Sequence, residues 1–302
     1  MDHMEATPAL SVVVPTRTGW PAYEPYFVHQ RREVEAVGGE LLVLDGSGRP
    51  APPEGEIGPR TRWLSHPGES VLGLRALGYP LARAPIVAVS EDHTRVPEGW
   101  AAAILACHAE HPEAAAIGGS VENGATNSYP EWAAFVCGHD RELAPLGRAR
   151  PVGLIGMTNV SYKHATLQRL RPLPGIGVND ALFQRDLARE GATLLVDDRM
   201  GCVHEQGMTF RQATNLFFQA GRVGAGSRRQ RMSTRELGRV LITPAAPIIL
   251  TARLGLWLAQ LGRDRLRYLV ELPMILWLFG ARAVGELVGY ARGAGSSALM
   301  LH

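Results

Sequence analysis

Cysteine is scarce. Cys107, Cys137 and Cys202 are the only three in 302 residues, they form no C-x-x-C pair, and their number is odd. That excludes a disulfide-stapled scaffold and a zinc ribbon, and it fits free thiols in a reducing compartment. Lysine is scarcer still, since Lys163 is the one lysine among 31 basic side chains. Set against 29 acidic residues these leave a formal charge of +2, so no global field of one sign draws the chain to nucleic acid. An anionic substrate has to be met locally. The opening MDHMEATPAL is acidic and lacks an apolar core, so no secretory leader is expected there. A long apolar run is missing as well: the tail reaches 13 charge-free residues from Val240 to Ala252, interrupted by Pro244 and Pro247. A bilayer span needs roughly 20 apolar residues, so the pattern argues against a clean transmembrane helix.

What remains is the composition of a folded α/β chain. Hydrophobic residues make up 46% and charged residues 20%, near the globular averages of roughly 45–50% and about 25%, which excludes generic disorder. The length exceeds the usual ~100–200 residues per domain, so a large core domain with an appendage is expected, divided as 1–225 and 226–302. Leu10–Val14 and Leu41–Leu44 read as buried parallel strands that stop at loops. Ile86–Val89, Ala114–Val121, Thr158–Tyr162 and Thr193–Val196 read as further strands. Helices are expected over Glu69–Ala84, Trp100–His111 and Asp180–Glu190, the last amphipathic and closed by Gly191. In a parallel α/β sheet ligands bind beyond the carboxyl ends of the strands. Asp45 and the run Glu91-Asp92-His93 both fall at such ends.

Glu91-Asp92-His93 is the sharpest signal. A structural loop start needs one polar residue, whereas three consecutive metal-competent side chains leave this strand together. A carboxylate two residues from an imidazole can set oxygen and nitrogen ligands on one side of an extended turn, with positions open for phosphate oxygens. The bland alternative is a helix-capping carboxylate beside a solvated histidine.

The ordered series Pro15-Thr16, Asp45, Glu91-Asp92-His93-Thr-Arg-Val-Pro-Glu-Gly-Trp100, Gly118-Gly119, Asn159-Val-Ser-Tyr-Lys163, Asn179-Asp180 and His204-Glu205 resembles the family 2 glycosyltransferases of GT-A fold, over about residues 9 to 225. The resemblance implies an α/β fold with a mostly parallel, Rossmann-like central sheet, helices on both faces and a C-terminal helical appendage. It implies that Pro15, Thr16, Arg17, Asp45, Glu91 and Asp92 hold a nucleotide-sugar donor (UDP-, GDP- or dTDP-linked). It maps the family's D-x-D motif to Glu91, Asp92 and His93, which with His204 would hold Mn2+ or Mg2+. Here His replaces the usual third Asp, which tilts preference toward manganese-like ions because imidazole is the softer ligand. Asp180 takes the place of the general base of an inverting transfer, with Asn179 where the family carries an acidic partner. A plain helix N-terminal carboxylate is the alternative for Asp180. Asn159 and Trp132 are expected on the acceptor side, and Trp100 is a further candidate sugar platform.

Leu241–Leu261 and Tyr268–Tyr290 are apolar but broken by Arg253, Arg263, Asp264, Arg265, Arg267, Glu271 and Arg282. Two amphipathic helices reclining on a membrane fit this pattern, with a pair packed on the catalytic domain, or a homodimer contact, as the alternative. Arg222, Arg228, Arg229, Arg231, Arg235 and Arg239 could meet a diphosphate or anionic lipid, or form a solvated face. Arg228-Arg229-Gln-Arg231 lacks the Trp of the processive Q-x-x-R-W motif, so transfer of a single sugar is expected. The whole reads as a cytoplasmic enzyme, peripheral on the inner face of the cell membrane, that moves one sugar to a hydroxyl on a lipid-linked or membrane-proximal acceptor. The rivals are a catalytically silent relative serving as a membrane assembly or carbohydrate-binding subunit, and a nucleotidyltransferase. The latter normally shows a Gly-rich basic loop, of which Pro15-Thr-Arg-Thr-Gly-Trp20 is a poor version.

Overall fold

A computed structural model describes residues 7–125 and 128–301. In chain order, β1 (Leu10–Thr16) leads through α1 (Glu24–Ala36), β2 (Glu40–Asp45), the single-turn α2 (Glu54–Ile57) and β3 (Thr61–Ser65) to α3 (Val71–Gly78). There follow β4 (Ile86–Val89), β5 (Thr94–Arg95), α4 (Trp100–Glu110), β6 (Ala114–Gly118), β7 (Val121–Asn123) and α5 (Tyr129–Gly138). Next come β8 (Arg150–Pro151), β9 (Val160–Lys163), α6 (His164–Leu167), α7 (Asp180–Arg189), β10 (Thr193–Val196) and β11 (Cys202–His204). The tail is helical: α8 (Phe210–Arg229), α9 (Thr234–Ile242), α10 (Ala246–Leu261) and α11 (Arg265–Arg292).

Strands β1 and β2 are apolar apart from Ser11, Thr16, Glu40 and Asp45, and every residue in both is buried, with helices or loops covering both faces of the sheet. The large sheet has the order β3-β2-β1-β4-β9-β6-β10-β8, and a small one has the order β5-β11-β7. Pairing is parallel from β3 to β4 and between β6 and β10, while β9 runs antiparallel to both its neighbours, β4 and β6. The α/β class and the mostly parallel central sheet therefore match expectation. A buried strand reads the same in either direction, which is why the reversed β9 carries no sequence signal.

Two elements differ from the reading. The helix expected over Glu69–Ala84 is shorter, capped at its start by Ser70, whose Oγ accepts from the Gly73 N–H at 3.0 Å. It passes into a 3-10 turn at Tyr79–Leu81, where Pro80 removes a backbone donor. The strand expected over Ala114–Val121 is two strands in two sheets, and the chain pivots between them. At Gly119 a Cβ would stand 2.1 Å from the Met200 carbonyl oxygen, so only glycine allows that close approach.

The expected boundary at residue 225 lies inside α8, a continuous helix of 20 residues. Helices α8 and α11 pack backbone to backbone: a Cβ on Gly285 would lie 2.0 Å from the Phe218 carbonyl oxygen, and one on Gly289 would lie 2.4 Å from that of Arg222. Pro244 falls in a 3-10 turn (Thr243–Ala245) that joins α9 to α10, Pro247 in the first turn of α10 and Pro273 inside α11, so the helical path continues through all three. As a result two helical segments, Glu236–Leu261 and Arg265–Arg292, are long and apolar enough to cross a membrane by length and composition.

Candidate metal and donor site

The site forms where β4 ends. After Val89 the chain leaves the sheet, and Gln30 of α1 holds the loop by its backbone. The Gln30 Nε2 donates to the Glu91 carbonyl at 2.9 Å and the Thr94 carbonyl at 3.0 Å. Strand β11 pairs antiparallel with β5, His204 opposite Thr94, and the Glu205 N–H donates to the His93 carbonyl at 2.9 Å. The small sheet thus carries His204 across 111 residues of sequence to His93.

His93 Nε2 and His204 Nε2 face one another at 2.9 Å, and each lies 3.4 Å from Glu91 Oε2. Ligands about 2.1 Å from a shared ion stand roughly 3.0–3.4 Å apart, so these atoms suit the edges of one coordination shell. One ligand atom from each of Glu91, His93 and His204 falls within 4.8 Å of the others. Burial disfavours charge on all three residues, and the hydrogen bonds decide how each responds. Asp92 and Glu91 outweigh burial at His93 and hold its imidazole up at about 10. Burial pushes His204 down to about 3, with the neighbouring His139 and His93 adding to it. Hydrogen bonds from the two imidazoles overcome burial at Glu91 and keep its carboxyl well below the usual range. The result is an ionised carboxylate beside a neutral His204 at pH 7.

Asp92, expected among the metal ligands, is turned elsewhere. Its Oδ1 is 2.7 Å from His93 Nδ1, and its Oδ2 accepts from the Thr16 hydroxyl at 2.6 Å and the Thr18 N–H at 3.3 Å. It therefore orients His93 and ties β1 to the site, as carboxylates behind metal-binding imidazoles do.

Asp180 opens α7, and its carboxylate is closed off. Its Oδ1 accepts from the hydroxyls of Tyr79 (2.9 Å) and Tyr162 (3.1 Å), its Oδ2 accepts from Arg75 Nη1 (3.1 Å), and the residue is 0% exposed. Burial and the Asp180 charge push both phenols upward, so their protons stay on as donors. The buried Arg75, which no motif flagged, bridges the two halves of the site: its Nη2 also reaches Glu91 Oε1 at 3.3 Å. Glu91 and Asp180 are thereby brought to opposite sides of one guanidinium.

The other expected residues divide. Pro15 and Thr16 are buried at the end of β1, beside the site. Asp45 is buried too, with Oδ1 accepting from the Ser47 N–H (2.8 Å) and Oδ2 from Trp63 Nε1 (3.1 Å). Arg17 is half-buried and donates to the Leu299 carbonyl of the C-terminal segment. Asn159 is interior: its amide donates to the Ser120 and Met200 carbonyls and accepts from Trp100 Nε1, so it offers nothing to an acceptor. Trp132 and Trp100 are core residues, and Arg267 lies over the Trp132 ring at 5.1 Å; neither is a sugar platform. The physical reason is common to all three. Large or amide side chains at the ends of buried strands and helices go to packing and backbone satisfaction first.

The arginine cluster is spent internally. Arg222, Arg229 and Arg231 bond the Gly293 carbonyl, the Ala291 carbonyl and Asp186, while Arg228 meets Tyr290, Glu236 and Glu286, and Arg239 meets Glu236. The side chain of Arg235 lies outside the described residues. No diphosphate clamp forms from the described members of that group.

No family model matches the sequence, and no curated protein matches it. Among solved structures the chain resembles a mannosyltransferase from Pyrobaculum calidifontis in complex with GDP-Man and Mn2+, at 14% identity and a TM-score of 0.57, over 94% of this chain and 87% of that one. At that identity the likeness concerns the fold alone.

Proposed function

We propose that this chain is a metal-dependent glycosyltransferase that moves one sugar from a nucleoside diphosphate donor to a hydroxyl, with inversion at the anomeric carbon. The observation that carries the reading is the pair of imidazoles 2.9 Å apart beside Glu91, at the carboxyl end of a central parallel strand. The fold neighbour is a complex with GDP-Man and Mn2+, so a GDP-linked sugar is the first donor to try, before UDP- and dTDP-linked ones. A divalent ion held by Glu91, His93 and His204 would stabilise the charge that develops on the leaving diphosphate. Two imidazoles in the set favour Mn2+ over Mg2+.

Asp180 is our choice for the acceptor-side base. To take a proton it needs an open lone pair within about 2.6–3.2 Å of the hydroxyl, so Arg75 has to release Oδ2 when substrates enter. A cation held at Glu91 would repel the neighbouring guanidinium, whose Nη2 reaches Glu91 Oε1, and so would favour its withdrawal from Asp180. The closure of Asp180 also favours the second reading, a catalytically silent relative that binds carbohydrate or supports assembly at a membrane. The acceptor is proposed to be lipid-linked or handled at the bilayer surface, since the tail presents apolar helices to the outside.

Thermal-shift screening of GDP-mannose and of UDP- and dTDP-sugars, each with Mn2+ and with Mg2+, decides between the two. The enzyme reading expects metal-enhanced stabilisation by one donor, together with transfer that Asp180→Asn abolishes while donor binding persists. Donor binding without transfer in the unaltered chain leaves the silent relative.

A further inference from the structure

His139 and Glu142 belong to no motif, yet they sit against the metal cluster. His139 follows α5 and stacks on Phe135, with ring centroids 4.9 Å apart and planes 27° apart. Its Nδ1 lies 2.7 Å from Glu142 Oε2, and Glu142 Oε1 accepts from the Thr158 N–H at 3.2 Å. The buried Glu142 occupies space that residue 156 must leave bare: a Cβ on Gly156 would stand 1.9 Å from its carboxyl carbon.

His204 lies between two imidazoles, its ring centroid 4.5 Å from that of His93 and 4.5 Å from that of His139. The two outer rings are built alike, each with Nδ1 at 2.7 Å from its own carboxylate, Asp92 for His93 and Glu142 for His139. A carboxylate at Nδ1 fixes the N–H there and aims Nε2 outward, so that a cation which displaces the Nε2 proton meets a lone pair already oriented, as metal-ligating histidines commonly are. Among the described residues nothing hydrogen-bonds His139 Nε2.

We propose that His139 is a further nitrogen ligand of the Glu91–His93–His204 centre, oriented by Glu142. This rests on the metal reading above and extends it to a three-imidazole, one-carboxylate site. His139 stands outside the group whose ligand atoms lie within 4.8 Å of one another, so ligation requires its ring to turn toward Glu91 and His93. A third imidazole favours borderline ions such as Co2+ and Zn2+ over Mn2+ and Mg2+.

Titration of the full chain with Co2+, followed by visible absorption and by competition with Zn2+ and Mn2+, tests this without any sugar transfer. His139→Gln is expected to weaken Co2+ binding by about tenfold or more and to change the d–d spectrum, with a smaller loss for Mn2+. Glu142→Gln is expected to move affinity the same way by less, and His204→Gln to remove binding. Unchanged Co2+ affinity and spectrum in His139→Gln, with His204→Gln defective, overturns the role of His139 and leaves the triad. Absence of binding in the unaltered chain overturns both. Should His139→Gln lose its fold by circular dichroism, Glu142→Gln decides: a wild-type spectrum and affinity there overturn the proposal.

Discussion

At the scale of single residues, the buried ionisable groups set the responses to pH and substitution. His108 of α4 is buried, its Nε2 pairs with the Ser161 hydroxyl at 2.9 Å, and its Nδ1 has no partner among the described residues. Burial, with Lys163 nearby, pushes it down to about 4. Its folded value is therefore below the unfolded one of about 6.5, so between those limits the unfolded chain binds the proton and stability falls as pH is lowered. Above about 6.5 both states are neutral and the contribution is flat. Urea midpoints measured from pH 7 to 4 should drop less steeply in His108→Gln than in the unaltered chain; equal slopes would remove His108 from this account. Asp180→Asn has a second consequence besides lost transfer. An amide in place of Oδ2 would present donors to the Arg75 guanidinium, and breaking a buried pair costs about 3–5 kcal/mol. Equilibrium unfolding should show a loss of that order, and a loss under 1 kcal/mol would mean that the Arg75 bridge is loose enough to open without substrate.

Helices and strands were the most legible level. Runs such as Leu41–Leu44 and Ile86–Val89 are continuous because both their faces are covered, and the periodicity of Asp180–Glu190 follows from a helix buried on one side. The direction of β9 and the splitting of Ala114–Val121 were not legible, since both depend on which partner a strand meets. The site was legible in part for the same reason. Glu91-Asp92-His93 is local in sequence, and the later His204 came from a family pattern, whereas Arg75, Gln30 and the His139–Glu142 pair are assembled only by packing. The tail shows what glycine does between helices. With no Cβ at Gly285 or Gly289, α8 and α11 approach to backbone contact, which an alanine would force apart. Gly285→Ala is expected to destabilise the chain by about 1–3 kcal/mol, whereas Gly280→Ala, with open space around its Cβ position, should be neutral or slightly stabilising. Matching thermal melts for the two variants would contradict the close packing.

Over the whole molecule, charge and apolar surface are unevenly shared. Residues 226–302 carry eleven arginines against four carboxylates, a net charge of +7, while the residues before them are net −5. The same tail exposes Leu241, Ile248, Leu266 and Val270 by 82, 70, 81 and 69% of their surfaces. Water is a poor neighbour for such a face: burying each Leu or Ile is worth about 1.5–3 kcal/mol, and each basic residue near an anionic bilayer adds about 1 kcal/mol. An anionic membrane is accordingly the neighbour we propose for this face. Sedimentation with phosphatidylglycerol vesicles should recover the protein at low salt, and phosphatidylcholine vesicles should recover much less of it. Leu241→Glu combined with Leu266→Glu should weaken the anionic partition at least tenfold while leaving donor binding intact. A second copy of the chain could cover the same residues, and light scattering separates the cases. A stable dimer that ignores vesicles and dissociates on the double substitution would place the face at a subunit interface, and the membrane-proximal acceptor would then lose its support.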